Sequence, residues 1–163
     1  LLLVAGFETT TNLLGNGLVV LLEHGADAAR LRADPALAPA YVEELLRYDS
    51  PVQLTGRWTR ADADVAGVKV PAGGQVLVLL GAANRDPVRF TDPDTFDPAR
   101  TEGGPKSFGA GAHFCVGAAL ARLEAQVAVP LLLNRFPDLR LAERPRRRDR
   151  LTLRGYATLP VWL

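Results

Sequence analysis

Hydrophobic positions run almost unbroken from Leu1 to Leu22, with polar residues confined to Glu8, Thr9–Thr11, Asn12 and Asn16. This predicts one long helix over residues 1 to about 24, ending near Gly25. A helix apolar on nearly every face belongs inside a large protein. The run is long enough on paper to span a bilayer, but Glu8, Asn12 and Asn16 would be costly in lipid. A buried helix with a functional polar stripe fits better. No positive region precedes the run and no cleavage pattern follows it, which argues against a secretory leader. Residues 26–33 predict a short polar helix, stopped before Pro35. Pro39 suits the first turn of a third helix through Ala40 to about Tyr48, closed by Ser50-Pro51. The period then changes. Val65–Val70 alternates, Pro71–Gly74 turns, and Gln75–Leu80 is again strand-like, which predicts a hairpin. Residues 84–107, dense in Pro, Asp, Arg and Gly, predict a long irregular loop of the functional kind. A last helix is expected from just after Cys115 to about Phe136, with Pro130 as a kink. Leu151–Leu163 reads as short strands around Arg154-Gly155, and the basic Arg144–Arg150 stretch as a solvated loop.

Composition narrows the class. With 163 residues, 48% hydrophobic and 23% charged, the chain fits one globular domain rather than a disordered segment. A net charge of +1 provides no field to draw in nucleic acid. A single cysteine rules out an intramolecular disulfide and a four-cysteine zinc site. The chain has no methionine and opens mid-pattern, so it is read as part of a longer polypeptide. Without targeting signals, the expected location is cytoplasmic, with no membrane partner. Arginine outnumbers lysine 17 to 2, which hints at a GC-rich bacterial genome.

The densest chemistry lies in Phe108-Gly-Ala-Gly-Ala-His-Phe-Cys115-Val-Gly117. The lone cysteine stands at the mouth of a predicted helix, after a loop whose Gly109 and Gly111 can take backbone angles closed to other residues. Backbone N–H groups and the helix N-terminus favour thiolate over thiol there. Gly117 removes a side chain where a flat ligand could approach. Such a site suits one soft metal centre bound from one side, and a haem iron accepts a single thiolate ligand. The competing reading is an inert buried cysteine.

That string resembles the haem-binding signature of the cytochrome P450 family, F-x-x-G-x-x-x-C-x-G, through Phe108, Gly111, Cys115 and Gly117. The resemblance implies Cys115 as the axial iron ligand and His113 as a contact to a haem propionate. Three further segments then acquire meaning. Glu44-Leu-Leu-Arg47 alone would be an ordinary i,i+3 ion pair. In the family a Glu-x-x-Arg pair is buried and joined by an arginine of the irregular loop, here Arg100 in Phe96-Asp-Pro-Ala-Arg100. Ala5-Gly6-Phe7-Glu8-Thr9-Thr10 weakens a helix at Gly6 and lets the Thr9 hydroxyl bond back to the Ala5 carbonyl. It resembles the family's oxygen-binding groove, which implies that Glu8 and Thr9 manage protons during catalysis. Arg57 is similar to an arginine that meets a propionate, with Arg60 as its rival. Val52–Thr55 and Tyr156-Ala157 are similar to segments that touch substrate.

The resemblance covers nearly the whole chain but only the later part of the family's fold. The expected fold class is therefore mainly α with small β-sheets (α+β), residues 1–163 being the C-terminal part of a single haem domain. The expected cofactor is haem b, iron protoporphyrin IX. The expected function is monooxygenation of a small organic substrate. Electrons would come from a ferredoxin-type donor with its reductase, steered by Arg100, Lys106 and Arg122. The full-length protein is expected to be a monomer, and this part alone inactive. Two alternatives are a peroxygenase or isomerase on the same haem-thiolate site, and a truncated non-catalytic pseudo-enzyme.

Overall fold

A computed structural model describes residues 2–163, with side chains from Ala5 onward. Three helices come first: α1 (Leu2–Glu23), α2 (Gly25–Ala33) and α3 (Ala38–Tyr48). A single 3-10 turn, Pro35–Leu37, links the last two, and the Asp34 side chain caps it by accepting from the Ala36 amide at 3.1 Å. Pro39 lies in the first turn of α3, where no backbone donor is missed. After four short strands and the one-turn helix α4 (Leu80–Ala83), the chain wanders to α5 (Ala118–Arg135). Helix α5 continues through Pro130, whose carbonyl accepts from Asn134 Nδ2 at 3.0 Å.

Helices α1, α2, α3 and α5 pack on one another. Leu21, Leu31, Tyr41, Leu45 and Leu133 are sealed in one core cluster. A second, made of Leu13, Val42, Leu46 and Ala125, has Phe108 packed against it and so lies beneath the cysteine loop. The apolar face of α1 is buried only from Leu13 onward; Ala5, Gly6 and Phe7 are exposed. The long bare apolar stripe runs instead along α5, through Val116 just ahead of it and Leu120, Leu123, Val127 and Leu131 within it. Of the polar stripe of α1 only Asn12 and Asn16 are buried, and Asn16 Nδ2 donates to the Asp49 and Arg154 carbonyls at 3.2 and 3.1 Å.

The strands form four two-stranded antiparallel sheets. The expected hairpin is corrected. Val65–Val70 is not one strand but two, β2 (Ala63–Val65) and β3 (Val68–Val70), turned at Ala66-Gly67 with φ of 50° and 84°. Two successive positive φ values give the tight turn that matches strand twist. The strand β4 (Gln75–Val78) therefore pairs with β1 (Thr55–Trp58), twenty residues upstream in register Thr55 to Val78 down to Trp58 to Gln75. The basic stretch is corrected too. It is no solvated loop: Arg146–Arg147 form β6, paired with β7 (Tyr156–Thr158). The remaining pair is β5 (Arg140–Leu141) with β8 (Val161–Trp162).

Residues 84–107 carry no helix or strand, yet they are packed. Phe90 and Phe96 are buried, and Asn84 is fully enclosed. Asn84 Nδ2 donates to Ser107 Oγ at 2.8 Å and its Oδ1 accepts from the Lys106 amide at 2.7 Å. Ser107 Oγ in turn donates to the Leu46 carbonyl at 2.6 Å. The two ends of the irregular segment are thus fastened to each other and to α3.

Candidate functional site

Phe108 to Gly117 leaves this fastened end as a loop. Gly109 and Gly111 take φ of 72° and 71°, the left-handed region that favours glycine. Gly111–His113 make one 3-10 turn. The Cys115 amide donates to the Phe108 carbonyl at 3.1 Å, and the Cys115 carbonyl accepts from Ala118 N at 3.3 Å as α5 begins. The sulfur is exposed, and it faces a cavity of about 510 Å³. A Cβ at Gly117 would stand 3.9 Å from that sulfur, an ordinary contact, so this glycine serves the cavity rather than the loop's own packing.

The same cavity is lined by Ala5, Gly6, Phe7, Thr9 and Thr10 of α1. Thr9 Oγ1 donates to the Ala5 carbonyl at 2.7 Å, so the helix groove carries a hydroxyl tied to its own backbone. Glu8 is not among the lining residues. Its Oε1 accepts from Arg148 Nη1 and Arg150 Nη1, both at 2.9 Å, which turns the carboxylate toward the basic stretch. Arg57 and His113 line the cavity; Arg60 does not. Arg57 Nη1 donates to Thr55 Oγ1 at 3.0 Å and the Gly56 carbonyl at 2.8 Å. Val52 and Thr55 line it as well, whereas the Gln53 side chain folds back to the Ser50 carbonyl. Tyr156-Ala157 does not reach it: Tyr156 lies in β7 with the Arg147 guanidinium 4.4 Å above its ring.

Glu44 and Arg47 are 4% and 2% exposed, and their hydrogen bonds are bidentate at 2.7 Å each. Arg47 also donates to the carbonyls of Asn84, Pro93 and Thr95. Glu44 Oε1 accepts from the Asp97 amide at 2.8 Å. Arg100 approaches with Nε 3.6 Å from Glu44 Oε2, an ion pair without a hydrogen bond. Its fork is spent on the carbonyls of Thr91, Asp92 and Thr95 and on Glu102. Burial works against the Arg100 charge, but Glu102, Glu44 and Asp97 outweigh it and raise its pKa. The planar guanidinium groups thus hold carboxylate and loop carbonyls together.

Steering by Arg100 and Arg122 does not suit their surroundings. Arg100 is enclosed, and Arg122 is bound to Glu43, with Nε–Oε1 at 2.5 Å and Nη2–Oε2 at 3.1 Å. Only Lys106 of the three is exposed. The sequence reading missed Asp49, which is buried and paired with Arg147 Nη2 and Arg154 Nε at 2.7 Å. Nothing local marks it; its partners lie about a hundred residues away.

An exposed sulfur on a glycine loop, a mainly apolar cavity and two side chains able to bind carboxylates fit a haem. The comparison with known proteins agrees at the level of the family. The cytochrome P450 profile matches residues 27–155, and the chain belongs to the cytochrome P450 family. Among relatives, it is 54% identical over 165 residues to cytochrome P450 107B1 of Saccharopolyspora erythraea, covering 99% of this chain and 41% of that one. It is 49% identical over 162 residues to the biotin biosynthesis cytochrome P450 of Bacillus subtilis, covering 99% and 41%. Mycobacterium smegmatis CYP164A2, solved with econazole bound, superposes with a TM-score of 0.95 at 48% identity, covering 99% of this chain and 40% of that one. P450BioI, solved with acyl carrier protein carrying hexadec-9Z-enoic acid, gives 0.93 at 49%, covering 96% and 41%. The chain thus spans 36–41% of the length of the curated relatives it matches. The expected mixture of helix with small sheets is the fold observed.

Proposed function

We propose that these residues form the cysteine-bearing part of a haem-thiolate monooxygenase acting on a small organic substrate. The observation that carries the reading is that Cys115 lines one cavity with Gly6, Phe7, Thr9 and Thr10 of α1. Haem b, when bound, supplies the activation of dioxygen. Cys115 Sγ would hold its iron as a thiolate, an electron-rich ligand suited to that chemistry. Gly117 keeps the approach to the sulfur clear. Arg57 and His113, both lining the cavity, would hold the propionates through their guanidinium and imidazole N–H groups. Thr9 Oγ1, anchored to the Ala5 carbonyl, keeps lone pairs with which to accept and relay a proton within the cavity. Glu8 would join that relay only by releasing its Oε1 from the two arginines that hold it outside the cavity. Glu44, Arg47 and Arg100 act structurally, keeping the irregular segment under the loop. Electrons come from a ferredoxin-type donor with its reductase, docking near Lys106. The assembled protein works as a cytoplasmic monomer, and residues 1–163 alone do not turn over. No helix among the described residues is long and apolar enough to cross a membrane.

One observation favours a second reading. Glu8 faces Arg148 and Arg150 rather than the cavity, as suits a peroxide-driven oxygenase that needs no acid there.

The test places residues 1–163 in the matching stretch of cytochrome P450 107B1. Reduced with carbon monoxide, the haem-loaded chimera is expected to show the strongly red-shifted Soret band of thiolate ligation, lost in Cys115→Ser. Retention of the band in that variant would reject the ligand assignment. Product formed with reductant but not with hydrogen peroxide supports the first reading; the reverse supports the second.

A further inference from the structure

From Ala110 to Val116 every residue of the cysteine loop is exposed. The loop's position therefore depends on its two ends. The first is Ser107-Phe108, the second the start of α5. One side chain joins them. Arg122, in the second turn of α5, has its guanidinium carbon 4.5 Å from the Phe108 ring centroid. That guanidinium is oriented by two hydrogen bonds to Glu43 on α3. Phe108 in turn passes the constraint to the cysteine, because its carbonyl accepts the Cys115 amide. The pair is only partly open to solvent, with Arg122 and Glu43 side chains 29% and 36% exposed. An ion pair so placed is bidentate and stacked, unlike the freely exposed pairs that contribute almost nothing. The Glu43 hydrogen bond also raises the Arg122 pKa against its burial, so the cation persists at any working pH.

We infer that Glu43 and Arg122 are positioning residues for the Cys115 loop, clamping Phe108 so that the sulfur keeps its place at the cavity. The inference rests on the haem-thiolate reading above. It assigns the consecutive acids of α3 separate tasks. Glu44 secures the irregular segment through Arg47, and Glu43 secures the cysteine loop through Arg122. It also accounts for an arginine here where lysine would not serve, since a compact ammonium cannot both fork onto a carboxylate and lie over a ring.

The experiment uses the haem-loaded chimera with Glu43→Gln, Arg122→Gln, Arg122→Lys and, as a control on the same helix, Arg135→Gln. Thermal unfolding, the thiolate-type carbon monoxide band and the rate of haem transfer to apomyoglobin are read for each. Outer partners of a metal ligand typically change metal affinity by about tenfold or more. Glu43→Gln and Arg122→Gln are expected to melt near the control, yet lose haem about tenfold faster and shift part of the band to its non-thiolate position. Arg122→Lys should fall between, and the Glu43→Gln, Arg122→Gln double variant should be no worse than either alone. Variants that match Arg135→Gln in band and haem loss overturn the inference, as do variants whose haem loss only tracks a lowered melting temperature. A parent chimera without the thiolate band overturns the haem-thiolate reading instead.

Discussion

Arg47 shows how much one side chain can hold. Its five donors meet a carboxylate and three carbonyls that lie 37, 46 and 48 residues further along the chain. Arg47→Leu would leave Glu44 buried beside Arg100 alone, and removing one partner of a buried pair typically costs about 3–5 kcal/mol. That is a large fraction of a domain's stability of about 5–15 kcal/mol. Denaturant unfolding of the chimera should show that loss, and a midpoint unchanged from wild type would contradict the structural role. Glu102 offers a test with pH. The Thr91 side chain, then the Arg100 guanidinium, hold its carboxyl at about 2, below its ordinary 4.5. The folded value is the lower one, so the folded state binds fewer protons between the two. The stability it lends is complete above pH 4.5 and is lost as pH falls toward about 2. Wild type should therefore lose more stability over that window than Glu102→Gln, and equal slopes would contradict the shift.

At the scale of elements, the basic stretch is the least expected part of the architecture. Arg147 reaches Asp49 at the end of α3, while Arg148 and Arg150 reach Glu8 on α1. The segment around β6 is thereby laid against two helices. Replacing Arg148 and Arg150 together by Gln should free the 148–153 backbone without unfolding the helices, since the pairs are partly exposed and each is worth about 1 kcal/mol or less. Faster amide exchange confined to that segment and the first turns of α1 is the expected result. Exchange that stays as slow as in wild type would show that the pairs hold nothing in place.

For the whole molecule, the α5 stripe has the larger consequence. Val116 is 90% exposed, and Leu120, Leu123, Val127 and Leu131 are each more than half exposed. Their spacing of three and four residues places Leu120, Leu123, Val127 and Leu131 along one side of the helix. A contiguous apolar patch of this kind is a recognised aggregation liability. Burying one such side chain is worth about 1.5–3 kcal/mol. Purified residues 1–163 should therefore self-associate and hold little thiolate-bound haem. Leu120→Lys with Leu123→Glu should shift them toward monomer by light scattering. A wild-type chain already monomeric, with stoichiometric haem, would refute this.

Local chemistry was enough to mark α1, α2, α3 and α5, though not the one-turn α4, because apolar period, prolines and caps act within a few residues. It marked the cysteine loop for the same reason: Gly109 and Gly111 take positive φ, and Thr9 bonds back to Ala5, as their neighbours alone dictate. Glu44 and Arg47 were legible as a pair because they share a helix face, but their burial followed only from the family resemblance, since the segment that covers them is distant in sequence. The β2–β3 turn was hidden in an alternating run, and β4 found β1 only through the fold. Which way Glu8 faces, which arginines are free, and which helix keeps a bare apolar side were all decided by tertiary structure. Charges pair with whatever the packed chain brings within reach, and apolar faces are buried only where another element arrives to cover them.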